Sequence, residues 1–163
     1  MDIQTLDIII KLAVALLLGM IIGLERILTK HDAGVRTYGL VSMGACLFIL
    51  SGVIMGQAFN LPGESLRLIG QVMGQIVTGI GFLGAGLIFN SEKEHKRIGL
   101  TSAAGMWVAA GIGIACGLGL FNVAVVATVL TLITLTLIWY LEYGVVNVIK
   151  GEEKNEIRVE NMK

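Results

Sequence analysis

Five apolar blocks, each close to the length that crosses a hydrocarbon core, decide what this chain can fold into. They cover about residues 7–28, 37–56, 67–89, 99–117 and 120–141. A helix rises about 1.5 Å per residue, so roughly 20 apolar residues cross a core about 30 Å thick. Charged residues make up only 15% of the 163, and proline occurs once. A water-soluble domain of this length carries more charge and alternates apolar with polar positions. Inside lipid each segment must satisfy its own backbone, which blocks of this length do as helices. The predicted class is all-α: a polytopic membrane bundle of five transmembrane helices over 1–149, then a short polar tail over 150–163. Met1-Asp2 offers no basic leader region, so the first block is read as a span and not as a cleaved signal peptide.

The loops set an expected orientation. Arg26, Lys30 and Arg36 flank the first loop, Lys93, Lys96 and Arg97 lie in the third, and Lys150, Lys154, Arg158 and Lys163 lie in the tail. The second loop (Gln57 to Leu66) and the fourth (around Leu118 to Leu120) have neither Lys nor Arg. The positive-inside rule then places the N-terminus outside and the C-terminus in the cytoplasm. Trp139, Tyr140 and Tyr143 read as an aromatic belt at the cytoplasmic surface, and Asn60-Leu61-Pro62-Gly63 as an outer turn. His31-Asp32 is too small a set for a metal site and is read as loop. Cys46 and Cys116 both fall inside apolar blocks and read as small buried hydrophobes.

Glycine is the second signal. Gly79-Ile80-Gly81-Phe82-Leu83-Gly84-Ala85-Gly86 holds four glycines in eight residues of the third span. In a bilayer small residues let helix backbones approach closely. At about 100° per residue Gly70, Gly74, Gly81 and Gly84 share one side, with Gly79 and Gly86 near the opposite one. The third span is therefore expected to be a central post squeezed between two partners. Ala15, Gly19 and Gly23 repeat every fourth residue in the first span, and Gly105 and Trp107 join the packing candidates in the fourth. That fourth span is small nearly throughout and is expected to be buried. The spacing Gly79-Ile-Gly81-Phe-Leu-Gly84 imitates a dinucleotide fingerprint, but no strand–helix–strand context surrounds it.

Polar residues at membrane depth are the candidate functional set, because such groups have partners or mark pathways. They are Glu25 and Arg26 at the inner end of span one, Arg36 and Thr37 at the start of span two, Gln75 and Thr78 with Gln71 in span three, and Thr101 in span four. Glu25 is either a solvated interfacial carboxylate or an inward-facing acid that meets Arg36 or a cation. Arg36 can snorkel to lipid phosphate, and Thr37 can cap span two. The Gln71–Gln75–Thr78 seam either bonds neighbouring helices or lines a hydrated path. Asp7 and Lys11 are spaced to pair on one helix face.

Four ordered motifs carry a family resemblance. They are Gly19-Met-Ile-Ile-Gly23-Leu24-Glu25-Arg26, Ala33-Gly34-Val35-Arg36-Thr37 with Leu40-Val41, Gly79 to Gly86, and Gly99-Leu100-Thr101-Ser102-Ala103-Ala104 with Trp107 and Ala110. In order and spacing they resemble the MgtC/SapB family of bacterial inner-membrane proteins, over roughly residues 7–141. The resemblance implies a five-helix membrane domain and links to magnesium limitation, stress adaptation, virulence inside host cells and acid resistance. For some members it also implies inhibition of the membrane ATP synthase. The family label that speaks of a magnesium transport ATPase finds no support, since no nucleotide motif is present. Many members carry a cytoplasmic regulatory domain after the last helix, and Glu156-Ile-Arg-Val-Glu160 stands where its first strand would begin.

Two readings follow. One is a bundle that handles Mg²⁺ or protons, as a homo-oligomer embedded in the lipid bilayer. The other is a regulator that binds another membrane protein, such as the ATP synthase, through small-residue faces, without transport of its own. No nucleophile–base constellation and no metal-ligand cluster argues for catalysis. The expectation is a non-enzyme without a cofactor and without a nucleic-acid partner. The metal, if any, stays open.

Overall fold

The computed structural model describes residues 3–29, 33–58, 64–92 and 99–137. Helices α1 (Ile3–Leu28), α2 (Val35–Ala58), α3 (Glu64–Glu92) and α4 (Gly99–Gly117) follow in chain order, and then α5 (Phe121–Leu137). The first four are each long and apolar enough to cross a membrane, and α5 is a shorter apolar helix over its described extent. The chain is a multi-pass, all-α membrane protein. His31-Asp32, the Asn60–Gly63 turn, the charged loop at 93–98, the aromatic belt and the tail lie outside the described residues. The chain divides into two compact units, residues 1–131 and 132–163. The described part of the second is the helical stretch 132–137, and all packing below belongs to the first.

Helix ends follow local chemistry. The Gly34 carbonyl accepts the Tyr38 N–H at 3.1 Å, so Gly34 caps α2. Thr37, expected to be the cap, lies inside the first turn and is exposed. At the end of α4, Leu120 donates to the Ala115 carbonyl at 2.8 Å and Gly119 to that of Cys116 at 2.9 Å. These two bonds form a Schellman turn, which requires a left-handed residue after the helix. Gly119 supplies it with φ +77°. Asp7 and Lys11 make the expected pair at 2.6 Å.

Helices α2 and α4 are the inner pair. Each touches the other and both outer helices, whereas α1 and α3 share no contact. Ala45, Ile49, Ile80, Ala110 and Ile114 form the apolar core between α2, α3 and α4. Glycines set the distances. A methyl group at Gly19 would stand 2.5 Å from the Tyr38 carbonyl oxygen, one at Gly23 2.6 Å from the Val35 Cα, and one at Gly117 2.8 Å from the Ile49 Cβ.

Within one chain the central post is α4 and not α3, which corrects the sequence expectation. Of the membrane spans, 61% of α4 is buried against 17% of α3. At Gly70, Gly74, Gly79, Gly81 and Gly86 an added methyl would meet nothing within 4 Å, and only Gly84 has a neighbour, Ala103, at 3.4 Å. A helix is enclosed on all sides only when it is small on all sides. The fourth span meets that condition, while Gln71, Gln75 and Phe82 interrupt the glycines of the third. Trp107 is 53% exposed, so its indole is not buried in a helix seam among the described residues.

Candidate functional site: a buried ion pair at the α1–α2–α4 junction

Leu17, Ile21, Leu24 and Leu28 form the outward face of α1. Ile22 is fully buried, and Glu25 and Arg26 lie three and four residues further on, on the same side of the helix. Arg26 is 2% exposed and Glu25 8%. The Arg26 Nη2 donates to the Ser102 hydroxyl at 3.1 Å, and its Nη1 lies 3.6 Å from the Glu25 Oε2. The Tyr38 hydroxyl donates to the Ser102 carbonyl at 2.9 Å. Ser102 thus ties α1 and α2 to the first turn of α4. Gly105 makes room for this junction, because a methyl there would stand 2.6 Å from the Tyr38 hydroxyl oxygen.

The junction is incompletely satisfied. Both Glu25 carboxylate oxygens, the Arg26 Nε and the Ser42 hydroxyl are buried without a hydrogen-bond partner among the described residues. The ion pair is too long to count as a hydrogen bond. Buried polar atoms are nearly always hydrogen-bonded, so unpaired ones mark strained or functional places.

The sequence-stated candidates divide. Glu25 and Arg26 enter the cluster. Arg36 and Thr37 are exposed on the first turn of α2, and Thr101 is exposed beside Ser102. Gln75 and Thr78 are exposed on α3, where the Thr78 hydroxyl donates to the Gly74 carbonyl at 3.0 Å. Tyr38 and Ser42 were missed, and Ser102 stood in the fourth motif while its neighbour Thr101 was the residue chosen. A signal existed: Tyr38, Ser42, Ala45 and Ile49 recur at helical spacing and form the buried face of α2. Cys46 and Cys116 are buried free thiols.

The chemistry of this cluster is that of a neutralised pair. Mg²⁺ takes about six oxygen ligands in octahedral order, whereas here one carboxylate faces a guanidinium. Among the described residues no three His, Cys, Asp or Glu side chains converge. Replacing Tyr38 with phenylalanine is expected to lower stability by about 1 kcal/mol, the worth of one hydrogen bond. Thermal unfolding in detergent measures it, and an unchanged midpoint would mean the Tyr38–Ser102 bond contributes nothing.

Comparison with known proteins places these residues in context. The sequence profile of the MgtC family matches residues 12–143. Protein MgtC of Salmonella typhimurium LT2 is 43% identical over 124 residues, which is 76% of this chain and 49% of the relative. YhiD of Escherichia coli K12, whose name offers magnesium transport as a proposal, is 35% identical over 145 residues, 88% of this chain and 66% of the relative. Protein SrpB of Synechococcus elongatus is 34% identical over 136 residues, 77% and 71%. The chain spans about half the length of the MgtC relative and about two thirds of the other two. No solved structure matches it.

Proposed function

The chain belongs to the MgtC family, and from that premise we propose that it acts in the bacterial inner membrane as a regulator of magnesium and ion homeostasis under stress. In this reading it works by binding, without catalysis and without conducting Mg²⁺ itself. The observation that carries it is Arg26, whose guanidinium stands 3.6 Å from Glu25, the carboxylate of the buried cluster. A neutralised pair resists a further divalent cation by charge, and its burial in a three-helix junction suits an element that holds or changes a packing state. The names of the MgtC and YhiD relatives supply the magnesium link. With the N-terminus outside, as the loop charges argue, the cluster faces the cytoplasmic side, where a response to cell ion levels is read.

Two measurements test this together. Mg²⁺ flux into proteoliposomes is expected to equal that into empty vesicles. A strain lacking the protein is expected to grow poorly at limiting Mg²⁺ and to recover when the chain is supplied. Flux above the empty-vesicle level that disappears in Glu25→Gln would restore the conducting reading and overturn this one.

A further inference from the structure

Two polar side chains stand on the lipid side of α3. Gln71 and Gln75 lie inside the Leu66–Ile88 span and both are exposed. Their amides each need hydrogen bonds, and acyl chains supply none. The neighbouring Thr78 is satisfied by its own helix at 3.0 Å, so on this ridge the two amides are the polar groups left exposed among the described residues.

The surface around them is built for close approach. At about 100° per residue, Gln71, Gln75 and Thr78 form a ridge on α3. Gly70, Gly74 and Gly81 run along one flank of that ridge, and Gly79 and Gly86 along the other. A methyl on any of these five glycines would meet nothing within 4 Å. Beside the ridge lies an open groove of about 710 Å³ between α2 and α3, with both glutamines, Gly44 and Gly79 among its lining residues.

We propose that this face of α3 is a homodimer interface, occupied by the α3 of a second copy with the Gln71 and Gln75 amides paired across a two-fold axis. For two copies inserted with one topology, the axis relating them runs along the membrane normal. Each residue then meets its own symmetry mate at the same depth. An amide carries both a donor and an acceptor, so a glutamine is complementary to itself. A Lys, Arg, Asp or Glu at these depths would meet a like charge. The bare glycine flanks let the two backbones approach on either side of the amide ridge. A different membrane protein would need matching polar groups at two depths about 6 Å apart, a condition that a second copy meets by symmetry. This dimer is independent of the role proposed above for the Glu25–Arg26 pair.

Cysteine cross-linking in native membranes tests the interface. Gln75→Cys, oxidised with copper–phenanthroline, is expected to give a disulfide-linked species at twice the chain mass. Leu17→Cys on the exposed face of α1 is expected to give none. Photobleaching-step counts of labelled protein in dilute liposomes are expected to show two copies for the wild type. The double variant Gln71→Leu with Gln75→Leu is expected to associate about eightfold more weakly, from two interhelical amide pairs worth about 0.6 kcal/mol each, with the melting of the single chain unchanged. Single-step bleaching of the wild type, a Gln75→Cys product of any other mass, or equal cross-linking from Leu17→Cys would overturn the proposal.

Discussion

Replacing Gly113 with alanine is expected to keep the folded protein from accumulating. The added methyl would run into the Ser42 carbonyl oxygen, 2.8 Å from its carbonyl carbon and 3.0 Å from the Ala45 Cβ. The obstruction is backbone, so no rotamer change relieves it, and α2 and α4 must separate along the seam that also holds Gly117 against Ile49. Overpacking of a core typically costs about 1–3 kcal/mol, and a backbone clash at the inner helix pair belongs at or above the upper end. Gly79→Ala is the contrasting case. It meets nothing within 4 Å and is expected to leave the stability of the single chain within about 1 kcal/mol of wild type, toward the stable side. Expression level and thermal unfolding in detergent compare the two. Equal behaviour would show that the α2–α4 backbone contact is not what fixes the bundle.

The second large effect concerns the ion pair. Arg26→Met removes the bond to Ser102 and leaves the Glu25 carboxylate buried without its counter-charge. Removing one partner of a buried pair typically costs about 3–5 kcal/mol, while replacing both is often close to neutral. The double variant Glu25→Gln with Arg26→Met is therefore expected to recover most of the loss. Arg36→Met, exposed at the start of α2, is expected to change stability by less than about 0.5 kcal/mol. A double-mutant cycle on unfolding midpoints measures the coupling. Additive losses at positions 25 and 26 would mean that the two side chains act separately.

The spans were legible in the sequence because the hydrophobic requirement of a bilayer acts on whole segments. The expected fourth span, 99–117, coincides with α4 (Gly99–Gly117), and the first three differ from α1, α2 and α3 by a few residues at their ends. The burial of the fourth span was legible too, since it is small on every side. What was not legible is helix phase at single-residue resolution. Thr101 and Ser102, or Thr37 and Tyr38, are chemically plausible neighbours about 100° apart on a helix, and only one of each pair faces inward. Composition does not choose between them; the contact between α2 and α4 does. The third span misled for a related reason. Glycine in a membrane helix records that there is room for a close neighbour, but not whether that neighbour belongs to the same chain.

The attachment of α3 has a mechanical consequence. Ile80 belongs to one apolar cluster with Ala45, Ile49, Ala110 and Ile114, and Gly84 lies beside Ala103; this packing is between hydrocarbon groups. In a solvent made of acyl chains, exchanging one such neighbour for another changes the energy little. α1, by contrast, is fastened to α4 through Arg26 and Ser102. A hydrogen bond is directional where hydrocarbon contact is not, so the bond from Arg26 to Ser102 sets the register of α1 on α4 in a way that apolar packing alone does not.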